Sequence, residues 1–162
     1  MSEGMPGNEL NVVLVQPQIP PNTGNVARLC AALSLPLYLV GPLGFEISDR
    51  QLKRAGLDYW DLVEVHVCPD VEPFFDPLPA ERLHLFSKTA PELYTDARYR
   101  PGDFLVFGSE TNGLPDWLRE RFRKRLRAIP MRPTGVRSLN LSSAVAVATY
   151  EAVRQLGLFP GS

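Results

Sequence analysis

The sequence predicts an α/β protein built on a mostly parallel sheet flanked by helices. Three observations carry this. Short continuous apolar runs such as Leu10 to Val15 read as strands buried on both faces. Segments with helical spacing separate them, which is the pattern of βαβ units. Two of the runs, Leu105 to Phe107 and the one ending at Ile129, stop in small polar loops that contain glycine. An open α/β sheet places its ligand at such strand ends.

Leu10 to Val15, short and valine-rich, is the first strand. Pro17 to Asn25 is a loop whose prolines delay a helix, and Asn22 or Thr23 is the expected N-cap of a helix running to about Ser34. Leu37 to Val40 is the second strand, followed by a turn through Gly41-Pro42-Leu43-Gly44. Ser48 to Ala55 has the look of a helix, Leu62 to Val67 alternates like a strand, and Pro69 to Phe75 suits a short helix. Arg82 to Phe86 and Phe104 to Phe107 are strands, the latter after the Pro101-Gly102 turn. Asp116 to Arg125 is expected as helix, Leu126 to Ile129 as strand, and Asn140 to about Leu156 as a final helix rich in Ala and Ser. Residues 1–9 are expected to be a flexible tail and 10–158 a single domain.

Composition narrows the class. A chain of 162 residues, 44% hydrophobic and 22% charged, suits one soluble domain. No apolar run is long enough to span a bilayer, and residues 1–9 lack the core of a signal peptide, so a cytoplasmic protein without membrane contact is expected. The cysteines, Cys30 and Cys68, lie in apolar segments and read as reduced thiols. His66 and Cys68, with His84 elsewhere, fall short of a zinc ligand set, so no metal is expected.

Net charge is −1, but the charge is unevenly spread. Trp117 to Arg137 holds eight Lys/Arg against one acid, Glu120, leaving the remainder acidic. Arg119, Arg123 and Arg127 recur at helical spacing, and Arg132 and Arg137 carry the cationic run into the last loop. A solvated helix face and a binding surface for a polyphosphate backbone both fit such a run.

The common site motifs are missing. There is no G-x-G-x-x-G, no G-x-x-x-x-G-K-[ST] and no G-x-S-x-G. From the residues alone, the chain is an α/β domain with a small-molecule cleft beside an anion-binding face.

Three separated segments extend that reading. Pro20-Pro21-Asn22-Thr23-Gly24-Asn25-Val26-Ala27-Arg28-Leu29-Cys30 resembles the first motif of the SPOUT class of RNA methyltransferases. Phe107-Gly108-Ser109-Glu110-Thr111-Asn112-Gly113-Leu114-Pro115 resembles the second. Ile129-Pro130-Met131, continuing to Ser138-Leu139-Asn140-Leu141-Ser142, is similar to the third. Arg54 to Tyr59 and Tyr150-Glu151-Ala152 add to the match. The nearest branch is the minimal single-domain enzymes that methylate the ribose 2′-hydroxyl of the tRNA wobble nucleotide.

The resemblance implies a C-terminal deep trefoil knot, a feature rare enough that spacing could never license it. It also implies S-adenosylmethionine as methyl donor, a homodimer whose active site draws on both subunits, and a tRNA anticodon stem-loop as substrate. Ribosomal RNA, another tRNA position, or a non-catalytic RNA-binding role are the alternatives. A 162-residue chain is not expected to hold an extra RNA-binding domain, which favours a compact substrate.

Carried over by position, Phe86, Gly108, Ile129 and Ser138 are expected at the cofactor, and Arg28, Asn22, Glu110 and Asn140 at the reacting ribose. Glycine at 108 is expected to let backbone approach the ligand. Phe86 and Ile129 offer apolar cover, with core packing as their other reading. A guanidinium is a poor base at neutral pH, so Arg28 is expected to orient the 2′-oxygen rather than take its proton. Two departures from the family pattern stand out. Ser109 replaces a common proline, and the Arg132 to Arg137 loop is one residue longer than in some relatives.

Overall fold

The computed structural model describes residues 9–47 and 60–159, so the expected helix at Ser48 to Ala55, the Arg54 to Tyr59 segment and the tail at 1–8 lie outside the described residues. Glu9 belongs to the folded unit: its carbonyl accepts from the Gly102 amide at 2.8 Å.

Six strands form one sheet: β1 (Leu10–Val15), β2 (Leu37–Val40), β3 (Val65–Cys68), β4 (Leu83–Phe86), β5 (Asp103–Phe107) and β6 (Leu126–Arg127). Their order is β3-β2-β1-β5-β4-β6, and every pairing is parallel. Among the described residues they are accompanied by the α-helices α1 (Pro20–Leu33), α2 (Val71–Phe75), α3 (Asp116–Arg121) and α4 (Leu141–Leu156). The chain leaves β1 toward β2 and β3, then crosses to β4 on the other side and fills the gap beside β1 with β5. The strand order thus reverses beside β1, the place where open α/β sheets bind ligands.

Period-two alternation sorts the core. Val12, Leu14, Leu37, Leu39, Leu105 and Phe107 share one face with Val26 and Cys30 of α1 and Val145, Ala148 and Ala152 of α4. Val13, Val15, Val40, Leu83, Leu85 and Val106 share the other with Phe75 of α2 and Leu118 of α3. All six residues of β1 are buried, which explains its mostly apolar sequence, and the one polar member, Asn11, donates to the Gly102 and Asp103 carbonyls. The small side chains Ala148 and Ala152 let α4 pack on the sheet and α1. Gly157 closes α4 at φ 64°, a left-handed cap that glycine adopts without a Cβ penalty.

The sequence places β1, β2 and α4 correctly, with Asn140, the expected first residue of α4, serving as its N-cap. Several boundaries differ. Ile19, not Asn22 or Thr23, caps α1, and the prolines occupy its first two positions, where a missing N–H costs nothing. β3 starts at Val65 rather than Leu62. α3 ends at Arg121, because Phe122 (φ −112°, ψ 38°) turns its buried ring inward and a 3₁₀ turn follows over Arg123–Arg125. β6 holds two residues. Beyond it Ala128 pairs only with Leu93, and Pro130 has no amide to extend a ladder.

The helical cationic stripe is therefore not formed. Arg127 is buried on β6 and paired with Glu92, while Arg123 and Arg119 make i,i+3 pairs with Glu120 and Asp116. Arg132 and Arg137 are exposed in the 128–140 loop.

Candidate active site

Beyond the C-terminal ends of β1, β4, β5 and β6, four loops enclose a cleft of about 520 Å³. The loop after β1 gives Ile19 and Asn22, that after β4 gives Ser87, Lys88 and Thr89, and that after β5 gives Gly108 to Leu114. The 128–140 loop adds Ile129, Met131, Ser138, Leu139 and Asn140. The apolar floor is a stack of Phe86 on Phe107, with ring centroids 4.6 Å apart and planes 9° from parallel. Offset stacking of this kind leaves a flat surface that suits a planar heterocycle.

A chain of hydrogen bonds ties three of these loops together. The Glu110 carboxylate accepts from the backbone amides of Gln18 (2.8 Å) and Ile19 (3.0 Å) and from Asn22 Nδ2 (3.3 Å). It covers the N-terminus of α1, where free amides and the helix dipole favour a negative charge. Asn22 Oδ1 accepts from Asn140 Nδ2 at 3.1 Å. Asn140 Oδ1 in turn accepts from the Ser142 and Ser143 amides at 2.9 and 3.3 Å, capping α4. Glu110, Asn22 and Asn140 thus spend their polar atoms holding the loops in place.

Gly108 has a reason to be glycine within its own loop. A Cβ there would lie 2.2 Å from Gly113 C and from Leu114 N, so the loop backbone closes tightly against it. The loop closes through paired Ser109 and Gly113 backbone bonds of 3.2 and 3.0 Å, and Ser109 Oγ accepts from the Asn112 amide at 3.0 Å. Serine thus supplies a turn-closing acceptor that proline lacks.

Seven of the eight expected site residues line the cleft: Phe86, Gly108, Ile129, Ser138, Asn22, Glu110 and Asn140. Arg28 does not. It stands exposed on α1, away from its own chain's cleft lining. Sequence reasoning missed Lys88, Met131 and Arg119. Lys88 Nζ donates to the Arg137 carbonyl at 3.0 Å and so links the loop after β4 to the last loop. Its position just past a strand's C-terminal end was the available signal. Among the described residues, no three His, Cys, Asp or Glu side chains stand together as metal ligands. His66 instead stacks on Tyr38 and bonds Glu64.

Residues 9–150 match the SpoU rRNA Methylase family. The chain belongs to that family. Within it, the chain is 49% identical over 156 residues to the tRNA (cytidine(34)-2′-O)-methyltransferase of Burkholderia ambifaria, covering 94% of this chain and 99% of the relative. A solved structure devoted to the 2-OH methylation of C/U34 on tRNA superposes with a TM-score of 0.86 at 48% identity, over 94% of this chain and 99% of that one. The AdoMet-bound rRNA methyltransferase of Sinorhizobium meliloti shares the fold, with a TM-score of 0.81 at 24% identity over 91% of this chain and 57% of its own. None of the helices in the described residues is long and apolar enough to cross a membrane.

Proposed function

We propose that this SpoU-family chain methylates the ribose 2′-hydroxyl of nucleotide 34 in the tRNA anticodon loop, with S-adenosylmethionine as donor. The observation that carries the reading is the convergence of all three motif loops on one cleft, locked by the Glu110–Asn22–Asn140 chain.

The residues present fit the donor. Phe86, Phe107, Ile129 and Leu114 give the cleft an apolar lining suited to adenine, and the 108–113 and 129–140 backbones border it with polar groups. Ser138 stands at the rim with its hydroxyl available to a polar edge. When bound, the donor supplies an electrophilic sulfonium methyl group.

What the chain itself contributes is placement. Glu110 is fully engaged with two amides and Asn22, so it acts by fixing the entry to α1 rather than by accepting a proton. Arg28, exposed on α1, suits a site completed across a dimer, with its guanidinium orienting the 2′-oxygen or a neighbouring phosphate next to the partner's cleft. The hydroxyl proton passes to solvent. The homodimer itself is supported by exposed Leu139, Val147, Tyr150 and Phe159 on and around α4, which packs on α1. Exposed apolar side chains grouped along one helix are characteristic of an interface. Exposed Lys88 in the cleft lining, with exposed Arg132 and Arg137 next in sequence to the lining residues Met131 and Ser138, suits an RNA backbone. The trefoil knot belongs to the same reading: after edge strand β6 the chain returns through the 128–140 loop to α4 beside α1.

The test is methyl transfer to a tRNA anticodon stem-loop, with the modified nucleotide mapped by mass spectrometry. A 2′-O-methyl group at nucleotide 34 is expected. Methylation of ribosomal RNA alone, or binding of RNA without S-adenosylmethionine binding in calorimetry, overturns the proposal.

A further inference from the structure

Directly beneath the floor of the cleft lies a buried polar network that the methyl-transfer reading does not use. His84 of β4 is fully buried, and Asp103 of β5 and Arg127 of β6 are nearly so. His84 Nε2 donates to Asp103 Oδ2 at 2.7 Å, an oxygen that also accepts from the Arg100 amide at 2.9 Å. That assignment leaves Nδ1 as an acceptor, and Arg127 Nε donates to it at 3.2 Å. Arg127 also bonds the Glu92 carboxylate. The network is neutral imidazole between an acid and a base, with each partner satisfied.

Its location gives it leverage. His84 stands two residues before Phe86 on β4, so the two share a sheet face, and Arg127 ends β6 two residues before Ile129. Register agrees, since Phe86 pairs with both Phe107 and Arg127. β6 has only two residues, too few to hold its own place. What holds it is Arg127, together with the Ser87 amide on the Arg127 carbonyl (2.9 Å) and the Ala128 amide on the Glu92 carbonyl (2.8 Å). Ser87 and Ile129 both line the cleft.

We propose that His84 and Arg127 are positioning residues for the cofactor cleft, a brace that fixes β6 and the Phe86/Ile129 floor and slackens when His84 takes up a proton. The inference rests on the reading that the cleft binds S-adenosylmethionine. A proton on Nδ1 turns the acceptor into a second donor facing Arg127 Nε, so the bond is lost and two cations stand in contact. The groups facing His84 are Asp103 on β5, Arg127 on β6, Arg125 in the preceding 3₁₀ turn, and the ring of Tyr99 at 4.5 Å. Glu92 balances Arg127, and Glu151 and Gln155 of α4 approach through Tyr99. Asp103 alone favours the imidazolium. Burial and both arginines oppose it, and His84 accordingly titrates below its ordinary value.

The experiment measures S-adenosylhomocysteine affinity by calorimetry on the full chain between about pH 7.5 and about pH 5.5, a window in which the probe itself does not titrate. Affinity is expected to weaken by about tenfold as one linked proton is taken up. The doubly apolar His84→Leu/Arg127→Leu variant is expected to lose that slope, and His66→Gln, which alters the other histidine, to keep it. Hydrogen exchange of the wild type reads the brace without any variant: protection of the Ser87 and Ala128 amides is expected to fall at the lower pH. A flat affinity profile, unchanged protection, or a slope that survives in the double variant overturns the brace. No binding at any pH instead overturns the reading of the cleft, and the brace with it.

Discussion

Asn140 and Asn22, 118 positions apart in sequence, share a hydrogen bond of 3.1 Å that joins the N-termini of the two longest helices at the mouth of the cleft. Each asparagine does two things at once. Asn140 caps α4 with its oxygen and reaches Asn22 with its nitrogen, while Asn22 receives that bond and donates to Glu110. The amide side chain is the one short group that both donates and accepts at fixed angles. That is a physical reason for asparagine at both places, where serine would serve a helix cap alone.

Substitutions at Asn140 separate the two duties. Asn140→Ala removes the cap and the tie and is expected to cost about 1–2 kcal/mol in urea unfolding, as lost caps do. Asn140→Ser retains a cap acceptor and is expected to recover most of that stability. It does not reach Asn22, so S-adenosylhomocysteine affinity stays low in both variants. Equal affinity in Asn140→Ser and the parent would show that the tie does not shape the cleft.

Gly108→Ala tests the second motif. The new methyl would sit 2.2 Å from Gly113 C and Leu114 N, backbone atoms that have no rotamer to yield. The loop must open, at an expected cost of about 1–3 kcal/mol, the range for overpacking. Loss of S-adenosylhomocysteine binding in calorimetry is expected to exceed the loss of thermal stability. Retained binding would mean that the 108–114 loop has slack the geometry does not show.

Arg28→Lys keeps the charge on α1 but loses the planar fork. If Arg28 aligns the ribose across a dimer, single-turnover methylation is expected to fall at least about tenfold, or roughly 1.4 kcal/mol of barrier, with donor affinity unchanged. Mixing Arg28→Ala chains with chains that carry Gly108→Ala offers a second reading. Each kind lacks a different half of the site, so mixed dimers are expected to recover part of the activity that both pure proteins lack.

Much of this was legible in the sequence, for identifiable reasons. β1 and β5 are buried on both faces and announce themselves by mostly apolar runs, and α4 by its small residues. The positions of Phe86, Gly108, Ile129 and Ser138 followed from motif resemblance. Their mutual approach needed the fold. Arg127 shows where pattern reading fails: at four-residue spacing from Arg123 it looks like a helix face, yet Phe122 ends the helix and β6 carries Arg127 inward. Nor does anything near His84 in sequence announce its partners, which lie 19 and 43 residues away on neighbouring strands. Charge partners across a parallel sheet leave no local periodicity.

That same network gives the fold a defined response to acid. His84 is held below its ordinary value of 6.5, chiefly by burial. The unfolded chain therefore binds a proton that the folded chain refuses, in the window from 6.5 down to the lower folded value. Stability is full above that window and falls as pH drops through it, with a slope of at most about 1.4 kcal/mol per pH unit for one proton. Urea midpoints measured between about pH 7.5 and pH 5 are expected to decline on the acid side, with an unchanged m-value. The His84→Leu/Arg127→Leu variant removes both the group that titrates and the cation it would face. The variant leaves the buried Asp103 carboxylate without His84 and Glu92 without Arg127, so its overall stability is expected to fall, and the comparison is one of slope. Its profile is expected to be flatter than the parent's over the same range, and an equally steep decline would assign the acid sensitivity to carboxylates elsewhere in the chain.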